Sequence, residues 1–322
     1  MIPYDTLEMK IREKGIVNAH AHFDRAYTLT KKDMHEVVYR QLEDKWRVVD
    51  RYKRMATYDD FLANILNALH HQRKFGVKSC LSFIDIDPVV GHKAINAAVD
   101  AKEHAQAYGM EFKIACQTLK GILHPNCRRL IETHLDEGHI DIVGSLPGAD
   151  PGGEIDHLDI IFKLAKKYNK RVHAHVDQHN TARQKETELL ARKAIYHGWE
   201  GKVTAIHSIS LACHPKPYRK KVYEMARDAG LSFICCPIAW IDHRRTEELN
   251  VNHNSITPVD ELLEYGLTVA LGTDNIYDIY KPFNDGNMMT ELRFLIEALH
   301  IYDEDILTQI ITDNGRKVIS DI

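Results

Sequence analysis

One unit recurs along this chain: an amphipathic run, a glycine or asparagine, then a short apolar run. In its clearest copy, Asp59-Asp60 can cap a helix whose apolar positions Phe61, Leu62, Ile65, Leu66 and Leu69 recur at helical spacing; Gly76 follows, and residues 77–85 read as a strand. The same order returns at 94–108, Gly109 and 112–119, at 128–136, Gly138 and 141–146, and at 155–168, Asn169 and 171–176. Three further copies are 186–197, Gly198 and 203–207; 218–229, Gly230 and 231–236; and 259–265, Gly266 and 267–271. With residues 15–20 as a first strand, the count of strands is eight.

Strands that alternate with helical segments predict an α/β fold with a parallel sheet. Eight of them in 322 residues predict a closed (β/α)8 barrel of the TIM type, whereas a doubly wound sheet would more often open on a Gly-rich first turn that this chain lacks. Residues 291–300 and 304–311 supply closing helices. No linker or low-complexity stretch interrupts the pattern, so residues 1–322 are expected to form one barrel domain. A charged segment at about 27–57, carrying Trp46, is an insertion after the first strand and can form a helix over the barrel mouth.

Composition narrows the function classes. With 44% apolar and 27% charged residues the chain can bury a large core, and its formal charge of −4 gives no broad basic field for nucleic acid. No apolar run is long enough to span a bilayer, and Met1-Ile2-Pro3-Tyr4-Asp5 lacks the start of a secretory signal. The expectation is a cytoplasmic protein with a small-molecule substrate and no nucleic-acid or membrane partner, with a homo-oligomer left open. Six cysteines without a C-x-x-C pair fit buried thiols rather than disulfides.

Four fragments at strand ends carry the chemistry. They are Val17-Asn18-Ala19-His20-Ala21-His22-Phe23-Asp24, His173-Ala174-His175-Val176-Asp177-Gln178, Ala205-Ile206-His207-Ser208 and Leu271-Gly272-Thr273-Asp274-Asn275. Histidine makes up 20 of 322 residues, so one His-x-His is expected by chance and the first fragment alone means little. In a barrel, however, the carboxyl ends of the strands point into one mouth. His20 and His22 share a face of strand one, and His173 and His175 share a face of strand five; His207 ends strand six and Asp274 ends strand eight. Several imidazoles with one carboxylate make a site for one divalent metal ion, zinc or iron. His70, His71, His124, His134, His139 and His243 lack such placement and read as surface or wall residues.

The order of these ligand-type residues resembles the amidohydrolase superfamily, and the second half resembles its cytosine deaminase group. Supporting stretches are Val143-Gly144-Ser145-Leu146-Pro147, Phe162-Lys163-Leu164-Ala165-Lys166-Lys167-Tyr168, His175-Val176-Asp177-Gln178 and Gly272-Thr273-Asp274-Asn275-Ile276-Tyr277-Asp278. The resemblance implies that His20, His22, His175 and Asp274 hold the metal, with His175 rather than His173 as the ligand from strand five. It also implies that Asp274 takes a proton from a metal-activated water and that His207 stands beside it.

Several positions depart from that pattern. Relatives that deaminate heterocycles carry a Glu three residues after the strand-five His, where this chain has Gln178, and an amide cannot carry a proton. The second Asp of the family is Asn275 here. Gln178 and Asn275 are therefore expected at the substrate, with Asp177 at the substrate or behind the ligands. Lys120, ending strand three, would attract an anionic group if aimed into the mouth; a carboxylated lysine bridging two metals is disfavoured, because relatives place that device on strand four. The β-sandwich that flanks the barrel in the superfamily is expected to be missing, with only residues 1–14 before strand one.

The resulting expectation is a metal-dependent hydrolase cleaving a C–N bond in a cyclic or planar amide or amidine. Two alternatives stand beside it. One is a deaminase of an aminated pyrimidine, pterin or triazine, and the other is a metal-binding barrel without catalysis.

Overall fold

Each recurring unit folds as its pattern requires, because an amphipathic stripe has to be buried against the apolar run that follows it. The computed structural model describes residues 3–239 and 255–322. The chain opens with helix α1 (Pro3–Lys14), strand β1 (Ile16–Ala21), two inserted helices α2 (Lys31–Glu36) and α3 (Leu42–Met55), and α4 (Tyr58–Lys74). There follow β2 (Val77–Asp85), α5 (Lys93–Ala107), β3 (Glu111–Gln117), α6 (Pro125–Asp136), β4 (Val143–Ser145), α7 (Glu154–Tyr168), β5 (Val172–Val176) and α8 (Glu186–Tyr196). The last part holds β6 (Val203–His207), α9 (Lys216–Asp228), β7 (Ser232–Cys235), α10 (Val259–Glu264) and β8 (Thr268–Leu271), then α11 (Met288–Leu299), α12 (Glu304–Ile311) and α13 (Asp313–Ile319). The expectation for His243 falls outside the described residues.

All strand pairs are parallel and sequential, β1 to β3 in one ladder and β4 to β8 in the other. Parallel bridges Ala115↔Ile142 and Ala21↔Asp274 join the two ladders at both seams, which closes the ring as a TIM-type barrel. The second seam needs a glycine: a Cβ at Gly272 would stand 2.7 Å from His20 Cβ and 2.8 Å from His20 O. A side chain in place of the glycine's hydrogen would push β8 away from β1 at His20.

One apolar layer lies between sheet and helices, and a second fills the barrel with Val17, Leu81, Phe83, Ile206 and Ile234. Val318 and Ile319 of α13 complete this inner cluster. Neither α1 nor α13 is part of the expected pattern; both are short helices outside the repeat, and α1 buries Leu7 and Ile11. The insertion folds as two helices. Thr30 caps α2 reciprocally with Asp33, while Val37 and Val49 pack on Leu119, Leu146, Ile279 and Tyr280 at the strand ends. Among the described residues no helix is long and apolar enough to cross a membrane.

Candidate active site

The strand ends place the polar groups, and left-handed backbone aims them. His20 lies inside β1, and His22 stands just beyond it with φ −132° and ψ 81°. His207, Ser208 and Asp274 take φ of +72°, +51° and +57°, conformations that cost a non-glycine residue about 1–3 kcal/mol and cluster at working sites. His22 Nε2 lies 3.1 Å from Asp274 Oδ1, and His20 Nε2 lies 3.3 Å from the same oxygen, outside hydrogen-bond geometry. The rings of His20 and His175 are 4.8 Å apart between centroids, those of His175 and His207 5.5 Å.

Two overlapping sets of donors therefore converge, His20 with His22 and His175, and His20 with His207 and Asp274, each set within 4.8 Å. His175 Nδ1 meets Ser145 O at 3.3 Å, which turns Nε2 toward this centre. Both ring nitrogens of His20, Nδ1 of His22 and Nε2 of His175 are buried without a hydrogen-bond partner. Unmet buried nitrogens are costly, and a divalent cation bound by imidazole and carboxylate satisfies them, so the residues present fit a metal ion.

The protonation states fit as well. Burial holds the imidazoles of His22 and His175 well below their usual range and pulls His207 down to about 4, so all three are neutral at pH 7. Burial alone would raise Asp274, but the approach of His20 and His22 keeps it well below the usual carboxylate range. Neutral imidazole and ionised carboxylate are the forms that bind metal.

A cleft of about 620 Å3 of empty space, counted out to open solvent, reaches this centre. Gln178 and Asn275 both line it, with Trp46 of α3 and Leu119 among the apolar walls. Asn275 Oδ1 accepts from Arg25 Nε at 3.1 Å, which leaves its Nδ2 to donate into the cleft. Arg25, 6% exposed, also lines the cleft and is missed by sequence reasoning. The only signal was its place three residues after His22, with no partner visible until Asn275 folds onto it.

Three further positions singled out from the sequence are placed away from the cleft: Asp177 behind the ligands, Lys120 outside the mouth and His173 below the preferred His175. Asp177 does not line the cleft: with φ +53° its carboxylate accepts from Glu186 N at 2.8 Å and Thr187 N at 3.1 Å, capping α8 behind His175. Simple strand alternation fails there because the ladder has ended and the backbone is left-handed. Lys120 is not aimed into the mouth; its ammonium pairs with Asp50 of α3 and fastens the insertion. His173, the competing ligand, is one layer too deep, with Nε2 3.0 Å from Val318 O.

This fold and donor set define a class, the barrel hydrolases that work with a bound metal ion. Comparison with known proteins makes the assignment: the Amidohydrolase family model matches residues 26–310, and the chain belongs to that family. A Haemophilus influenzae protein described as uncharacterized is 40% identical over 256 residues, 79% of this chain and 92% of that one. The N-isopropylammelide isopropyl amidohydrolase of a Pseudomonas species is 26% identical over 312 residues, 95% of this chain and 74% of that one. In fold, the chain is similar to 5-methylcytosine deaminase from Klebsiella pneumoniae liganded with phosphonocytosine, with TM-score 0.85, 24% identity, 95% of this chain and 75% of that one covered. The protein is thus a metal-dependent hydrolase acting on carbon–nitrogen bonds.

Proposed function

We propose that His20, His22, His175 and Asp274 hold one divalent ion, zinc or iron, and that the chain hydrolyses a C–N bond of a planar N-heterocycle bearing an amide or amidine. The observation that carries this reading is the convergence of unpartnered imidazole nitrogens beside two neutral amides in one cleft. A bound ion supplies Lewis acidity and lowers the pKa of water toward neutrality. Asp274 accepts the proton released at its carboxylate, and His207, neutral at working pH, orients the oxygen that gains charge. Gln178 presents both a donor and an acceptor to the substrate edge, and Asn275, held by Arg25, presents its N–H. Trp46 and the leucines of the cleft exclude water from the ring faces.

The two named relatives act, by their names, on an ammelide and on 5-methylcytosine, which supports a planar nitrogen heterocycle. Two amides in place of two carboxylates favour a substrate whose leaving nitrogen needs no proton carried through residue 178. Residues 1–322 act as one barrel unit in this reading, with 27–57 as the cover of its mouth. Six unpaired cysteines, five of them buried, support a reducing cytoplasm.

A panel of cyclic ureas, N-alkylamino triazines, aminated pyrimidines and pterins tests the reading, scored for ring opening, amine release and ammonia release. Turnover of a lactam or N-alkyl substrate that disappears in His22→Ala is the expected result. Turnover in His22→Ala at the wild-type rate sinks the reading, and ammonia from aminopyrimidines as the main product replaces it with a deaminase.

A further inference from the structure

A second group of metal-type donors lies in the outer layer, and none of its members lines the cleft. It comprises His134 near the end of α6, Glu137 at its C-cap and His139 two residues later. Three atoms converge: His134 Nδ1 and His139 Nδ1 are 3.1 Å apart, and Glu137 Oε2 is 3.0 Å from the first and 3.2 Å from the second. From this near-equilateral triangle we propose a second binding site for a borderline divalent cation of the zinc type, with His134, Glu137 and His139 as ligands.

Size agrees with the ion. Bonds of about 2.1 Å put neighbouring ligand atoms ~3.0 Å apart in octahedral and ~3.4 Å apart in tetrahedral geometry, and the three edges fall within that range. A hydrogen atom serves one edge of such a triangle, whereas a cation serves all three corners. Coordination by three protein atoms leaves the outer position to water on the open side, where Glu137 is exposed.

The backbone holds the triangle before any ion arrives. Gly138 takes φ +75° after α6, His139 N–H bonds to His134 O at 3.0 Å, and Gly138 N–H bonds to Leu135 O at 3.2 Å. This is a Schellman ending, and it folds residue 139 back over residue 134. The glycine stop that ends helices along this chain here also stacks two imidazoles, with ring centroids 5.3 Å apart.

His134 is further prepared from behind. Its Nε2 lies 2.9 Å from His92 Nδ1. The tautomer that donates Nε2–H to His92 leaves the Nδ1 lone pair facing the triangle, the outer hydrogen bond that metal-binding histidines use.

Equilibrium dialysis of the whole chain at micromolar free Zn2+, read by metal analysis, tests the site. Wild type is expected to hold two ions per chain, and His139→Ala and Glu137→Gln one each, with turnover of the main site unchanged. Both replaced side chains are partly exposed, so the folded barrel survives and melting temperature checks it. His22→Ala is expected to keep one ion while losing turnover, which separates failure of this site from failure of the proposed active site. Two ions remaining in His139→Ala overturn the proposal. So does a single ion in wild type that His22→Ala removes.

Discussion

The cluster of His20, His22, His175, His207 and Asp274 differs from its neighbour, the cluster of Asp24, Asp85, Asp87 and Lys53, in where its cation comes from. In the second, Lys53 of the inserted helix α3 is 1% exposed, with Nζ 2.7 Å from both Asp85 Oδ2 and Asp87 Oδ2. The carboxylates of Asp85 and Asp87 raise its ammonium against the pull of burial, and Asp87 is lowered in turn by Lys53. The first cluster presents neutral imidazoles and a carboxylate with buried nitrogens unpartnered. A built-in ammonium makes a fastener, because its charge cannot leave without unfolding the helix that carries it. Lone pairs of neutral rings make a socket, because an exchangeable ion with open coordination positions can also bind water and substrate.

The largest expected effect breaks the socket. Asp274→Asn removes the carboxylate proposed as both metal ligand and proton acceptor, and kcat/KM is expected to fall about a thousandfold or more, roughly 4 kcal/mol of lost transition-state stabilisation. Steady-state kinetics with metal analysis checks it, and activity within tenfold of wild type would erase the difference between socket and fastener. The fastener comes next: Lys53→Met strands Asp85 and Asp87 without their ammonium, at a cost of about 3–5 kcal/mol in denaturant unfolding. Turnover per folded molecule should change far less than in Asp274→Asn.

A third, intermediate effect concerns pH. Glu291, buried beneath the mouth, accepts from Ile238 N at 3.0 Å and from Asn284, and burial raises it to about 8 from an ordinary 4.5. An acid whose folded pKa is raised binds more protons folded than unfolded between those values. Its contribution is therefore fully present below about 4.5 and is lost as pH rises toward 8. Stability should fall across this window with a slope of up to ~1.4 kcal/mol per pH unit, and Glu291→Gln should flatten the slope in pH-dependent unfolding. The smallest effect belongs to Lys120→Met. Its pair with Asp50 is partly exposed, so about 1 kcal/mol or less is expected, and KM should stay within about twofold because the lysine fastens α3 instead of meeting substrate.

Legibility of the site depended on how far each residue lies from regular structure. His20 and His175 lie within strands, so period-two alternation already told which way they point. Asp177 follows the same arithmetic on paper, yet its left-handed φ turns the carboxylate onto α8. Lys120 is another case: its helix partner sits 70 residues away in an insertion whose path no periodicity specifies. Arg25 stayed hidden because its role depends on Asn275, 250 residues on, and His134 with His139 read as surface or wall residues until the Schellman turn stacked them.

By itself the sequence determined the eight βα units, the barrel they close into and the strand ends on which the ligand-type residues stand. Those follow from local periodicity and from glycine stops, which act within a few residues. The tertiary structure alone decided which polar groups at those ends meet the cleft, which cap a helix and which fasten the insertion. Beyond the last ladder hydrogen bond a side chain's direction depends on left-handed backbone and on partners brought from distant parts of the chain, and neither leaves a periodic mark in the sequence.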